Sequence, residues 1–117
     1  MTEPSSTTRL PDLDPGQAAE LLERGEAVIL DVREPAEWAA GHAPQARHLP
    51  LGLLTPEAVP QDRPVIAVCR SGNRSGQAAD TLAAAGRRVH NLAGGMKAWT
   101  RTGLPVVTDD GKPGTVA

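Results

Sequence analysis

The chain contains one cysteine, Cys69, and this residue follows an apolar run and precedes two arginines. Residues 65–68 are Val-Ile-Ala-Val, and residues 70–75 are Arg-Ser-Gly-Asn-Arg-Ser. A loop folded around the sulfur would direct backbone N–H groups at it, with a helix N-terminus and the guanidinium groups of Arg70 and Arg74 nearby. Each of these groups favours a thiolate over a thiol. We therefore expect Cys69 to be a reactive nucleophile that needs no separate base.

A lone cysteine can also be a small core hydrophobe, and that is its commoner use. A core position would gain nothing from two arginines and two glycines around the thiol, and the Gly-Lys-Ser/Thr ending of a phosphate-binding loop is missing. One cysteine excludes an internal disulfide and any Cys-x-x-Cys motif. A sulfur or acyl group loaded on Cys69 would therefore have to leave to another molecule.

Strand and helix patterns alternate along the rest of the chain. Asp14 predicts a helix N-cap, with Gln17 as its capping-box partner and Gly25 as the stop. The predicted strands are 28–32, 47–49, 65–68 and 88–92, and the predicted helices are 15–24, 35–40, 77–85 and 95–99, with one helical turn over 56–59. This order predicts a small α/β fold with a mostly parallel sheet, in which Cys69 lies beyond the carboxyl end of its strand, where ligands bind.

Tryptophan and histidine are the other side chains that we considered. The chain has no Tyr or Phe, so Trp38 and Trp99 are expected to be core residues. His42, His48 and His90 have no spacing typical of a metal site, and we expect none of them to act as a catalytic base.

Length and charge limit the classes of protein. The 117 residues suffice for one domain, and 12 basic against 14 acidic residues leave no footprint for nucleic acid or for an anionic membrane. The polar N-terminus lacks a signal-peptide pattern, so we expect a cytoplasmic protein. We expect a flexible segment over 1–13, the domain over 14–107 and a flexible tail over 108–117.

Four motifs in order resemble the single-domain rhodaneses, and the match runs from about Asp14 to Val107. The motifs are Asp31-Val32-Arg33-Glu34, then Glu37-Trp38 with Gly41-His42, then Cys69 to Ser75, and finally Leu92-Ala93-Gly94-Gly95-Met96 with Trp99 and Leu104-Pro105. The resemblance implies a rhodanese-like fold, with a parallel sheet flanked by helices. It also implies transfer of a sulfane sulfur from thiosulfate or a related anion to a thiol acceptor, through a cysteine persulfide and without a metal or organic cofactor.

The resemblance assigns roles position by position. Cys69 matches the family's nucleophile, and Ser75 stands where the active loop enters its helix. The loop whose amides surround the bound sulfur matches Arg70, Ser71, Gly72, Asn73 and Arg74. Arg33 matches an arginine that binds the substrate anion in some members and is structural in others, and both roles stay open. Its candidate salt-bridge partners are Asp31, which we expect to be structural, Glu34 and Glu37.

Departures from the family pattern and two rival functions remain. Ser71 stands where thiosulfate enzymes often have a lysine, and Ala43 and Gln45 replace residues that affect only local packing. A thiolate phosphatase or arsenate reductase is disfavoured, because its pattern has five residues between cysteine and arginine, whereas four separate Cys69 from Arg74. A sulfur-relay module, which passes sulfur between partner cysteines with little turnover of its own, is the other alternative.

Overall fold

Four parallel strands form the centre of the computed structural model, which describes residues 8–117. The strand order is β2-β1-β3-β4, so β1 and β3 are interior. The strands are β1 Val28–Asp31, β2 Arg47–His48, β3 Val65–Val68 and β4 Val89–Asn91, and the helices are α1 Pro15–Glu23, α2 Pro35–Ala40, α3 Asn73–Ala84 and α4 Gly95–Arg101. The predicted α/β class and parallel sheet are confirmed.

The register brings the carboxyl ends of the strands to one edge. Asp31 pairs with His48 on one side and with Val68 on the other, and Ala67 pairs with Asn91. Because all of the strands run in the same direction, the residues that follow β1 and β3 leave the sheet at this edge. Cys69 is the first residue after β3 and therefore lies there, as ligands do in parallel sheets.

Side chains alternate between two apolar layers, one on each face of the sheet. Ile29, Ile66 and Val68 pack with Met96 and Trp99 of α4 on one face. The other face packs against α3 and is made by Leu30, Val65, Ala67, Ala78, Ala79 and Leu82. Both layers are buried, which explains why the strands are continuous apolar runs.

Local sequence signals set several helix ends. The Asp14 side chain accepts from the Gln17 N–H at 2.8 Å, and the Gln17 side chain accepts from the Asp14 N–H at 3.0 Å, which is the predicted capping box. The helix after Cys69 begins earlier than its predicted start at Gln77, because Gly72 takes a left-handed conformation (φ 112°) as N-cap and α3 starts at Asn73. Asn73 to Ser75 are thus helical.

The expectation that both tryptophans are core residues is half right. Trp99 is fully buried, but Trp38 is only half-buried, on a helix with no buried residue. Its indole stacks on His42 at a ring distance of 3.5 Å and on His48 at 4.7 Å. The indole N–H donates to Asp109, so imidazole rings and a polar partner surround it instead of the apolar core.

Both expected flexible ends make contacts where the structure describes them. Leu10 and Leu13 donate backbone N–H groups to Val89 and Asn91 of β4, while residues 1–7 of the predicted segment lie outside the described part. In the predicted tail, Thr115 donates its N–H to Ala40 at 2.9 Å. The domain boundaries stay predictions. None of the helices within residues 8–117 is long and apolar enough to cross a membrane.

Candidate active site

The Cys69 sulfur is enclosed by the turn that connects β3 to α3. The Gly72 N–H donates to Sγ at 3.0 Å, and the Ser75 hydroxyl oxygen lies 3.3 Å from Sγ. Cys69 is only 1% exposed, and Ser75 is fully buried. The left-handed Gly72 reverses the chain tightly enough to direct its own N–H back at the sulfur. The turn therefore surrounds the sulfur with hydrogen-bond donors.

These donors change the acidity of the thiol. Burial raises the pKa of Cys69, but hydrogen bonds from the Ser75 side chain and from the backbone N–H groups of Ser75, Gly72 and Ser71 lower it more, so that the net pKa lies below its usual value. Because these donors stabilise negative charge on the sulfur, the site favours a thiolate.

The outer side of the loop is fixed by α4. The Cys69 carbonyl accepts from the Met96 N–H at 2.8 Å, and the Arg70 carbonyl accepts from the Lys97 N–H at 3.0 Å. Gly95 permits this contact, because a Cβ at that position would lie 2.4 Å from the Cys69 carbonyl oxygen. These two carbonyl groups thus bond to α4 instead of facing the sulfur.

Asn91, at the end of β4, is a site residue that sequence reasoning missed. Its Oδ1 accepts from the Ser75 hydroxyl at 2.6 Å, and its Nδ2 donates to the Gly72 carbonyl at 3.3 Å. The chain pattern predicted Asn91 only as a strand residue. The pairing of β3 with β4 brings it beside the loop, and nothing in the local sequence indicates that pairing.

Arg74 forms a two-pronged ion pair with Glu37 of α2. Its Nη1 and Nη2 donate to the two carboxylate oxygens at 2.7 and 2.8 Å. The Arg74 hydrogen bonds lower the pKa of Glu37 to about 2, and Glu37 raises the pKa of Arg74 further above its usual value. Sequence reasoning considered Glu37 as a partner of Arg33, so this pairing was also missed.

Arg33 lies in the interior and pairs with Asp31. Its Nε and Nη2 donate to the Asp31 carboxylate at 2.9 and 2.7 Å, and Nη2 also donates to the Gly41 carbonyl at 2.7 Å. Both side chains are fully buried. Of the three candidate partners, the structure places Asp31 against the guanidinium group, and Nη1 has no hydrogen-bond partner among the described residues.

The remaining loop residues face solvent. Arg70, Ser71 and Asn73 are exposed, and Arg70 Nε donates to an oxygen of Ala117 at 2.7 Å. Of the two loop arginines, Arg74 pairs with the Glu37 carboxylate, whereas Arg70 has no side-chain carboxylate as a partner among the described residues. Across residues 8–117, no three His, Cys, Asp or Glu side chains are grouped so as to hold a metal ion.

A family model described as "Rhodanese-like domain" matches residues 14–102. The chain belongs to the rhodanese-like family. That range includes the Cys69 loop, its partner Asn91 and the α4 residues that fix it. The resemblance of the four sequence motifs to rhodaneses is thereby confirmed.

Named relatives of this rhodanese-like chain include sulfurtransferases. A protein named "Sulfurtransferase" from Allochromatium vinosum is 44% identical over 94 residues, which are 78% of this chain and 88% of the relative. A "Thiosulfate sulfurtransferase GlpE" from Actinobacillus pleuropneumoniae is 36% identical and covers 83% of this chain and 93% of its own length. The solved structure of a rhodanese-related protein from Thermoplasma volcanium is 26% identical, with a TM-score of 0.79 over 86% of this chain and all of that one. These relatives support the sulfurtransferase class in general.

Proposed function

We propose that the chain transfers a sulfane sulfur from thiosulfate, or a related small sulfur anion, to a thiol acceptor through a persulfide on Cys69. The observation that carries the proposal is the enclosed sulfur, which accepts the Gly72 N–H and has the Ser75 hydroxyl within 3.3 Å. Donors fixed around one sulfur atom stabilise an anionic sulfur without rearrangement during the reaction. A free thiol with this task suits a reducing compartment such as the cytoplasm.

In the first half reaction, the Cys69 thiolate attacks the outer sulfur of thiosulfate. A new S–S bond forms to Cys69, the S–S bond of thiosulfate breaks, and sulfite leaves with its electron pair. The product is a Cys69 persulfide whose terminal sulfur carries the negative charge. The N–H groups of Ser71, Gly72 and Ser75 lower the pKa of Cys69, and we expect the same donors to stabilise that charge.

In the second half reaction, an external nucleophile takes the terminal sulfur. The thiolate of the acceptor attacks this sulfur, the persulfide bond breaks, and its electron pair returns to Cys69 as the thiolate. Because the chain has no second cysteine, the acceptor must be another molecule, either a small thiol or a cysteine of a partner protein. Cyanide can serve as the acceptor in an assay. The scheme gives ping-pong kinetics.

The charged residues divide between recruitment and structure. Arg70 is exposed at the loop, so it can attract an anionic donor. Arg74 is held by Glu37 and positions the start of α3, and the buried Arg33 holds Asp31 and Gly41 together. Asn73 and Ser71 contribute loop backbone. We therefore propose a structural role for Arg33 and a substrate-recruiting role for Arg70.

Intact mass measurement tests the proposal. Incubation with thiosulfate should add the mass of one sulfur atom to the wild-type chain, and cyanide or a reducing thiol should remove it. Cys69→Ser should show neither step, while Thr81→Ala, at an exposed position of α3, should behave as wild type. Sulfur loading that persists in Cys69→Ser would contradict the assignment of the nucleophile.

Turnover assays separate this function from its alternatives. Steady-state turnover with thiosulfate and a small thiol indicates an enzyme, whereas loading without turnover, relieved only by a partner cysteine, indicates a relay module. Aryl phosphate is the third substrate to test. Cys69-dependent hydrolysis of aryl phosphate that is faster than transfer from any sulfane donor would overturn the proposal.

A further inference from the structure

Asn91 contacts Ser75 and Gly72, two of the residues that donate hydrogen bonds to the Cys69 sulfur. Its Oδ1 is 2.6 Å from the Ser75 hydroxyl oxygen, which lies 3.3 Å from Sγ, and its Nδ2 is 3.3 Å from the carbonyl oxygen of Gly72. Asn91 is buried, with 7% of its surface exposed. Among the described residues its side chain bonds to Ser75 and Gly72 and not to the sulfur, so we take its influence on Cys69 to pass through these neighbours.

The contacts determine which way the amide points. The Gly72 carbonyl can only accept, so the amide nitrogen of Asn91 must face it. The amide oxygen then faces Ser75, and because that oxygen cannot donate, the Ser75 hydroxyl must. A hydroxyl has one proton, and the Asn91 amide oxygen, 2.6 Å from the Ser75 oxygen, is a stronger acceptor than the sulfur of a neutral thiol. With a neutral thiol at Cys69, the proton therefore lies toward Asn91.

Ionisation of the sulfur reverses this preference. An anionic sulfur is a stronger acceptor than a neutral amide, so the Ser75 proton turns toward it. The Asn91 oxygen then loses its donor inside the protein, and a buried acceptor without a partner is unfavourable. The anionic sulfur and the Asn91 oxygen thus draw on the same proton.

We propose that Asn91 is a positioning residue that competes with the Cys69 sulfur for the Ser75 hydroxyl proton and so limits how strongly the site stabilises the thiolate. The inference rests on the proposed function, in which Cys69 must attack a donor sulfur. A thiolate that is stabilised too strongly is a weaker nucleophile, because nucleophilicity falls as the thiol pKa falls. Asn91 keeps the sulfur both ionisable and reactive.

Ultraviolet absorbance of the thiolate, followed against pH, tests this role. The chain has one cysteine and no tyrosine, so the signal reports Cys69 without interference from tyrosinate. Asn91→Leu removes the competing acceptor, and we expect the thiolate fraction at a pH below the midpoint to rise about threefold to tenfold. The Gly72 carbonyl oxygen loses the Asn91 amide in this variant but still accepts a hydrogen bond from the Gly76 N–H at 3.0 Å. His90→Leu, one position earlier in β4, is the matched control and should leave the midpoint unchanged.

A double-variant comparison shows whether Asn91 acts through Ser75. Ser75→Ala should raise the midpoint, and adding Asn91→Leu to it should cause no further change. A midpoint that stays or rises in Asn91→Leu, or that falls equally without the Ser75 hydroxyl, would overturn the proposal. Asn91→Ala, expected to act in the same direction as Asn91→Leu, serves if the leucine variant does not fold.

The titration is independent of the sulfur-transfer assay. It requires no sulfur donor, so a chain that fails to take sulfur from thiosulfate can still show the Asn91 effect. Conversely, normal sulfur loading together with an unchanged midpoint in Asn91→Leu would reject the role of Asn91 and leave the proposed function in place.

Discussion

Arg33 and Arg74 each pair with a carboxylate, but the two pairs lie in different surroundings. The Arg33–Asp31 pair is fully buried at the end of β1, whereas the Arg74 and Glu37 side chains are 34% and 20% exposed at the start of α3. A buried ion pair is costly to disrupt, because the remaining charge has no solvent to stabilise it. A partly exposed pair contributes less to stability, because water and salt screen it.

The two pairs therefore have different tasks: the Arg33–Asp31 pair stabilises the fold, and the Arg74–Glu37 pair shapes the loop around Cys69. Arg33 bonds to Asp31 of the sheet edge and to the Gly41 carbonyl, so its contacts connect β1 with the end of α2. Arg74 belongs to the first turn of the helix that follows Cys69 and connects that turn to α2. Disruption of the first pair should therefore affect folding, and disruption of the second should affect the loop.

The largest expected effect on stability comes from removing the carboxylate charge that neutralises the buried Arg33 guanidinium group. Asp31→Asn removes the buried carboxylate charge, and we expect the free energy of unfolding to fall by about 3–5 kcal/mol, measured by urea denaturation. The double variant Asp31→Leu with Arg33→Met leaves no unpaired charge and should be less destabilised than Asp31→Asn. Glu37→Gln should cost about 1 kcal/mol or less. Equal losses in Asp31→Asn and Glu37→Gln would contradict the contrast between the pairs.

An intermediate effect is expected on the use of thiosulfate. Arg70→Ala removes an exposed charge and should slow sulfur loading about threefold to tenfold at low ionic strength, with less effect at high salt. Arg74→Ala removes a charge that Glu37 already balances, so its loss of rate should vary little with salt. The measurement is the loading rate over a salt series, and a steeper salt dependence for Arg74→Ala than for Arg70→Ala would reverse the assignment.

The smallest expected effect is on acid stability. Glu37 has a pKa of about 2 in the folded protein, below its usual value of 4.5, so the unfolded chain binds more protons between these values. The pair therefore stabilises the fold fully above pH 4.5 and loses this contribution as the pH falls toward 2. In Glu37→Gln, the decrease in the free energy of unfolding between pH 4.5 and 2 should be smaller than in the wild type by about 1 kcal/mol or less. If the free energy of unfolding changed with pH equally in the wild type and in Glu37→Gln between pH 2 and 4.5, the pair would not contribute to acid stability.

Much of the fold could be predicted because its signals are local. Asp14 and Gln17 cap α1 as expected, and the apolar runs before Asp31 and Cys69 form the two interior strands. Cys69 lies at a strand-to-helix turn whose N–H groups lower its pKa, as the strand-to-helix pattern around it indicated, and the Ser75 hydroxyl lowers it further. In each case, the determining residues are neighbours in sequence.

Two of the contacts that could not be predicted join residues far apart in the sequence. Glu37 and Arg74 are 37 positions apart, and Ser75 and Asn91 are 16 apart, so no spacing rule connects them. Trp38 was assigned to the core from its residue type, although its indole stacks on His42, four residues later, and on His48 of β2. The early start of α3 depends on the left-handed Gly72, which propensity alone does not indicate.

The hydrogen bonds from Met96 and Lys97 to the Cys69 loop have a consequence for the order of synthesis. Ribosomes build the chain from its N-terminus, so Cys69 emerges before Asn91 and before the α4 groups that hold its loop. Until α4 docks, the Cys69 and Arg70 carbonyl groups lack their hydrogen-bond donors from Met96 and Lys97. We therefore expect the loop of a nascent chain to become fixed only after α4 has been synthesised and has docked.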